Sequence, residues 1–222
     1  MRAESDYSKK ARSYYEGIRE DYLRELLDEK TSAVLEIGCG TGDLGDALLS
    51  QNGCQRYCGV ELFEDAADAA REKLTEVVNG DIEAIELPWD EGSFDALVAS
   101  EVLEHLREPW NVLRRLRTLL KPGALVLASS PNVANKRVIG MLLRGRWDLE
   151  HSGIMDRTHL RWFTPSSYAQ MFRDCGYEVE SIRPVSPLSG KSRLLDTLTL
   201  GKFDHLLWGQ TSVRARVRGE GL

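Results

Sequence analysis

Apolar and polar residues alternate along the chain with two different periods, and each change of period marks an element. From Asp6 onward Tyr15, Ile18, Tyr22, Leu23, Leu26 and Leu27 return at helical spacing, which predicts a charged amphipathic helix over 6–27. Residues 33–37 form a short apolar run cut off by glycines, and 44–49 then read as a helix, so strand, tight turn and helix follow one another. The alternation continues with strands over 57–62, 77–78 and 94–99 and helices over 64–74 and 110–120. A fifth strand over 124–130 follows the Lys121-Pro122-Gly123 break.

Parallel neighbours in a sheet need crossover connections, and strands alternating with helices at this spacing supply them. This part of the chain therefore predicts an α/β fold, with a mostly parallel sheet covered by helices on both faces. The rhythm breaks after residue 130. Residues 131–164 show no strand, Thr164-Pro165 opens a helix over 165–175, and 177–185 alternate as a strand. An irregular, partly helical stretch then leads to 210–218, where Val213, Ala215 and Val217 alternate with Arg214, Arg216 and Arg218. That segment is read as a final strand at or near an edge of the sheet.

Composition narrows the picture. A chain of 222 residues, 42% hydrophobic, can bury one sizeable core, so residues 1–222 are read as a single domain. A formal charge of −6 argues against a general nucleic-acid binder, which needs a strongly basic face. No apolar run approaches the roughly 20 residues that span a bilayer, and no secretory signal pattern is present, so a cytoplasmic location is expected. Cys39, Cys54, Cys58 and Cys175 are too few and too scattered for a disulfide scaffold, and ordinary reduced thiols are expected. With no CxxC pair and no ligand spacing among the histidines, no metal site is expected either.

The most informative segment is Val34-Leu-Glu-Ile-Gly-Cys-Gly-Thr-Gly42. Glycines directly after a strand let the backbone turn sharply and approach a ligand that side chains would block. Gly40-x-Gly42-x-x-Gly45, with Glu61 downstream, also fits a dinucleotide fingerprint, which keeps a nucleotide-dependent oxidoreductase in view. Glu36 weighs against it, because a carboxylate two residues before the first glycine would repel a pyrophosphate and attract an ammonium group. Glu61 can accept hydrogen bonds from both hydroxyls of a ribose, and Asp81 after the third strand can accept from an adenine amino group.

At these residues the sequence resembles the class I S-adenosylmethionine-dependent methyltransferases. Residues 34–42 look like the family's first motif, Gly59-Val-Glu-Leu62 its ribose motif and Gly80-Asp-Ile82 its adenine motif. Phe94-Asp-Ala-Leu-Val-Ala-Ser-Glu-Val-Leu-Glu-His-Leu106 is similar to the fourth motif, and Leu120-Lys-Pro-Gly-Ala124 to the turn before strand five. The resemblance covers about residues 30–130. It implies seven strands with the last antiparallel, a cofactor-binding half over 31–130 behind an N-terminal helix over 1–30, and an acceptor-site half over 131–222. By the same resemblance S-adenosyl-L-methionine is the cofactor. Glu36, Gly38, Cys39, Gly40 and Gly42 would hold its methionine part, Glu61 and Leu62 the ribose, Asp81 and Ile82 the adenine, and Ser100 and Glu101 the pocket floor. Tyr14, Tyr15 and Arg19 would cover the methionine end.

Methyl transfer from a sulfonium is an in-line displacement, in which alignment of the acceptor can supply roughly 7–11 kcal/mol of the barrier. A hydroxyl acceptor also needs a base. His105 follows strand four at the expected rim of the pocket, while His151 and His159 lie in a segment dense in polar and aromatic groups. Within it Asp156-Arg-Thr-His-Leu-Arg-Trp-Phe-Thr164 looks like a pattern of bacterial methyltransferases that accompany glycoconjugate enzymes, and the broad layout resembles ubiquinone-pathway O-methyltransferases. His159 is the first candidate for a base, with Arg157, Arg161 and Trp162 as acceptor contacts. The acceptor is expected to be a small molecule, a sugar or isoprenoid-type hydroxyl ahead of an amine, and a non-catalytic cofactor-binding module is the remaining alternative. Residues 136–146 frame an apolar run with four cations, which fits packing on the protein itself or contact with an anionic lipid surface or lipid-linked acceptor. The oligomeric state stays open.

Overall fold

The computed structural model describes residues 18–29, 31–186 and 202–219. The start of the predicted N-terminal helix, with Tyr14 and Tyr15, lies outside them. The apolar runs become strands β1 (Ala33–Ile37), β2 (Arg56–Glu61), β3 (Glu76–Asn79), β4 (Phe94–Ser100), β5 (Leu120–Pro131), β6 (Tyr177–Pro184) and β7 (Gln210–Val217). They form one seven-stranded sheet in the order β3-β2-β1-β4-β5-β7-β6. Strands β1 to β5 pair in parallel, and β7 runs antiparallel to both its neighbours. The final strand is thus one place in from the edge, which β6 occupies.

The helices are α1 (Glu20–Glu29), α2 (Asp43–Ser50), α3 (Glu64–Arg71), α4 (Pro109–Leu119), α5 (Lys136–Leu142) and α6 (Pro165–Asp174). Both faces of the sheet are covered, so β1 is buried along its whole length, Glu36 included, and is otherwise apolar. Its side chains divide by strand period. Leu35 and Ile37 join Leu113, Leu116 and Phe172 in one core, while Val34 joins Tyr22, Leu26, Leu48 and Tyr57 in the other. Helix α6 starts on a capping box, in which Thr164 Oγ1 accepts from the Ser167 amide and Ser167 Oγ accepts from the Thr164 amide.

Two boundaries move from their sequence positions. β5 begins at Leu120, which pairs with Phe94, and the register shift before Ala96 absorbs Lys121-Pro122-Gly123 as an irregularity inside the strand. Helix α5 occupies part of the stretch without strands. The alternation in β7 is real and has a specific use: Val213, Ala215 and Val217 are buried, while Arg214 and Arg216 reach the carboxylates of α1 and β6. Arg214 pairs with Glu25 and Glu180 at 2.7 Å, and Arg216 with Glu29 and Glu180 at 2.7 Å. This network fixes α1 over the sheet.

Candidate active site

Because β1 to β4 are parallel, their carboxyl ends open on one edge, where the loops of an α/β sheet form a crevice. The turn from β1 into α2 places Gly38, Gly40 and Gly42 at φ +67°, +53° and +80°, a region that side-chain-bearing residues avoid. A Cβ on Gly38 would lie 2.4 Å from Val102 Cγ2, and one on Gly42 would lie 3.2 Å from the Ala70 backbone. Gly59, opposite Glu36 in the β1–β2 register, serves differently: its missing side chain makes room for Cys39, whose Sγ would stand 2.5 Å from a Cβ there. Cys39 is accordingly buried.

Three carboxylates lie towards the carboxyl ends of β1, β2 and β3. Glu36 is buried on β1 and accepts a 2.9 Å hydrogen bond from Tyr57 Oη. Burial, reinforced by Glu61 and Asp43, pushes its carboxyl up to about 8 against the opposing effect of the Tyr57 bond. Glu61, at the end of β2, accepts from the Gly40 amide at 2.9 Å and the Phe63 amide at 3.1 Å, so it holds the glycine turn closed from beneath. Burial raises its pKa, and the amide bonds oppose that rise. Leu62 beside it is an exposed apolar surface, and Ile82 is buried under the opposite wall. Asp81 is exposed and caps its own turn, accepting from the Glu83 amide at 2.9 Å.

The floor is built from four elements. Arg19, just before α1, donates to Ser100 Oγ at 2.8 Å and to Ser129 Oγ at 3.0 Å, with its guanidinium 4.0 Å over the Tyr22 ring. Glu101 sits at φ +54°, strained for a non-glycine residue, and accepts from Gln210 Nε2 at 2.8 Å. Burial raises its pKa, while hydrogen bonds from Ser129 and Gln210 work the other way.

Beyond the floor, the short helical turn Leu103–His105 meets the segment after α5. The Glu104 carbonyl accepts from the Leu160 amide at 2.8 Å and the Arg161 amide at 2.9 Å. These bonds bring His159 against His105, with ring centroids 4.7 Å apart. His105 Nδ1 faces the Thr158 carbonyl at 3.2 Å and His159 Nδ1 the Ile154 carbonyl at 3.1 Å. A carbonyl only accepts, so each Nδ1 carries the proton and the basic lone pair of each ring is on Nε2. One ligand atom from each of Glu104, His105 and His159 can be chosen within 4.8 Å of the others, a set able to hold a metal ion. Trp162 stands edge-on to His159 at 5.5 Å, and Trp147 edge-on to Trp162 at 5.0 Å.

Residues 7–182 match the family model described as a methyltransferase domain. The chain belongs to that family. Its motif set and sheet order make it a class I methyltransferase with S-adenosylmethionine as methyl donor, which removes the oxidoreductase reading. Among curated relatives it is 25% identical over 168 residues to a ubiquinone biosynthesis O-methyltransferase of Neisseria meningitidis, covering 73% of this chain and 70% of that one. It is 28% identical over 183 residues to the protein of the same name from Stutzerimonas stutzeri, covering 74% and 72%. Among solved structures, a SAM-dependent methyltransferase from Archaeoglobus fulgidus superposes with a TM-score of 0.61 at 20% identity, over 89% of this chain and 94% of that one. One from Aquifex aeolicus superposes at 0.59 and 16% identity, over 90% and 89%.

In this methyltransferase the cofactor residues expected from sequence lie together at the carboxyl ends of four strands. The acceptor candidates divide. His105, His159 and Trp162 converge, whereas His151 is exposed and faces Arg157 at 3.3 Å. The Arg161 guanidinium is taken up by the Arg107 carbonyl and lies 3.6 Å from Glu108. Glu104, Ser129 and Gln210 were missing from the sequence reading. Glu104 stands in the quoted fourth motif, next to His105, and was the one with a legible signal.

Proposed function

We propose that this methyltransferase methylates a hydroxyl oxygen of a small-molecule acceptor, of the isoprenoid-linked or sugar type, with His159, His105 and Glu104 managing the acceptor proton. The observation that carries this reading is the paired imidazoles, 4.7 Å apart, whose Nδ1–H tautomers are set by backbone carbonyls. The names of the curated relatives, ubiquinone biosynthesis O-methyltransferases, support oxygen as the acceptor atom.

The cradle fits the donor on its own geometry. The turn keeps Gly38, Gly40 and Gly42 at positive φ and so offers backbone free of side chains, Glu36 supplies a carboxylate for the ammonium group, and Glu61 and Asp81 supply acceptors for ribose and adenine. Bound there, S-adenosylmethionine would supply the methyl group, its carbon–sulfur bond breaking as the oxygen–carbon bond forms and the electron pair staying on sulfur. His159 Nε2 takes the hydroxyl proton in that step, and the buried Glu104 stabilises the imidazolium that results. The same three side chains could hold a divalent cation, which would lower the pKa of a coordinated hydroxyl. Linear spacing concealed this set, because residues 104 and 105 lie far in sequence from 159.

The test is methyl transfer to a panel of phenolic, polyprenyl-phenolic and sugar acceptors, with turnover and donor binding measured separately. His159→Ala is expected to lower kcat by roughly 10²–10⁴ while leaving the donor Kd unchanged. Turnover retained by His159→Ala, or confined to amine acceptors, would overturn the reading. Activity after exhaustive chelation, with and without added zinc or magnesium, separates a free base from a metal-held hydroxyl.

A further inference from the structure

Eight large apolar side chains are exposed among the described residues, and five of them, Leu142, Leu143, Trp147, Leu149 and Leu160, fall between 142 and 160. Single exposed apolar residues are ordinary on a protein surface, whereas a concentration of them marks a contact. Leu143, directly after α5, is 84% exposed. Helix α5 buries only Val138, and the loop after it folds back, with the Arg146 amide on the Met141 carbonyl at 3.1 Å and the Asp148 amide on Met141 Sδ at 3.3 Å. The result is a projecting knuckle with leucines and a tryptophan on its outside.

Its charge runs against that of the molecule. The chain carries −6, yet residues 136–149 hold Lys136, Arg137, Arg144 and Arg146 against the single acid Asp148. Arg146 pairs with Asp148 and Arg137 with Glu150, while Lys136 and Arg144 have no carboxylate partner among the described residues. Apolar groups framed by cations match the interfacial layer of an anionic bilayer, where acyl chains lie just beneath phosphates. A second copy fits poorly, because pairing this face with itself would oppose like charges. None of the described helices is long and apolar enough to cross a membrane.

We propose that the α5 knuckle seats on the headgroup layer of an anionic phospholipid surface, with Leu142, Leu143 and Trp147 entering the interface and Lys136 and Arg144 against the phosphates. The contact lies close to the chemistry: Trp147 meets Trp162, and Trp162 meets His159. An acceptor held in the lipid would therefore reach the histidine pair along a wall of rings. This surface is independent of the acceptor reading above, because its measurement needs neither donor nor turnover.

Full-length protein is mixed with sucrose-loaded vesicles of phosphatidylcholine containing about one quarter phosphatidylglycerol, and the bound fraction is read after sedimentation. Binding is expected to these vesicles, to fall steeply with salt, and to be weak on phosphatidylcholine alone. Leu143→Asp is expected to weaken it about tenfold and Arg144→Ser about fivefold, while Arg71→Ser on α3 leaves it unchanged. The exposure of Leu143 keeps its replacement out of the core, and an unchanged melting curve confirms this. Failure to sediment with anionic vesicles, or equal sedimentation by Leu143→Asp and Arg144→Ser, overturns the proposal. So does a concentration-dependent dimer that Leu143→Asp abolishes, which assigns the face to a second copy.

Discussion

Tyr57 on β2 donates its phenolic hydrogen to Oε2 of Glu36 on β1 over 2.9 Å, and both side chains are buried beside the glycine turn. Burial holds the Glu36 carboxyl near 8, so at neutral pH the protein without donor keeps a proton there. With the donor's ammonium group beside Glu36, as proposed, the ionised form would be favoured and binding would expel that proton. Donor affinity is therefore expected to climb with pH by up to about tenfold per unit below 8 and to level off above it. Glu36→Gln should flatten that slope, and Tyr57→Phe, which removes the stabilising donor, should move the break to higher pH. Calorimetric titration with S-adenosylmethionine at several pH values checks both.

The same shift bears on stability. The folded state retains a proton that the unfolded chain releases between the ordinary carboxyl value of 4.5 and about 8. This contribution is fully present below 4.5 and is lost as pH rises to about 8. Urea denaturation of the wild type and Glu36→Gln across this window should show the wild type falling relative to the variant.

Gly38 and Gly92 both adopt left-handed backbone, at φ +67° and +65°, but only Gly38 has a neighbour, Val102, in the way of a Cβ. Gly92→Ala is expected to cost about 1 kcal/mol from backbone strain alone, and Gly38→Ala about 2–4 kcal/mol. Thermal melts measure the difference, and adding Val102→Ala to Gly38→Ala should recover part of it.

Arg19 bonds Ser100, Ser129 and Asp21 at the crevice floor, and in the proposed reading its guanidinium would also meet the carboxylate of the donor's methionine part. Arg19→Met is expected to weaken binding of S-adenosylhomocysteine by about tenfold and to leave methylthioadenosine, which lacks that carboxylate, unaffected. Equal losses for the two ligands would assign Arg19 to packing alone.

Arg214 joins β7 to α1 and β6 through Glu25, Glu29 and Glu180. Because the network is only partly exposed, Arg214→Met is expected to destabilise by about 1–2 kcal/mol, a loss that shrinks in high salt. The melting temperature should fall by roughly 2–8 °C. Melting curves at low and high ionic strength test both statements.

The placing of the glycine turn and its acids was legible because the signals are local. Gly38, Gly40 and Gly42 follow β1 directly, and Glu61 and Asp81 each follow or end a strand, so chain order alone assembles them. The meeting of the candidate histidines was not. His105 and His159 meet through amides of Leu160 and Arg161 on the Glu104 carbonyl, and Glu101 is held by Gln210 from the last strand. No periodicity encodes such contacts. The alternation of Val213, Ala215 and Val217 announced β7 but not its neighbours, which depend on the complementary acids of α1 and β6.

The placement of β7 between β5 and β6 carries a consequence for biosynthesis. Strand β6 has no partner in the sheet until β7 arrives, so a nascent chain halted after Pro184 leaves β5 and β6 as two raw edges. The seam closes only once residues 210–217 clear the ribosome, and Gln210 reaches Glu101 in the same event. A chain stalled short of that point would expose sticky strands and an unfinished crevice together, and would invite chaperone capture.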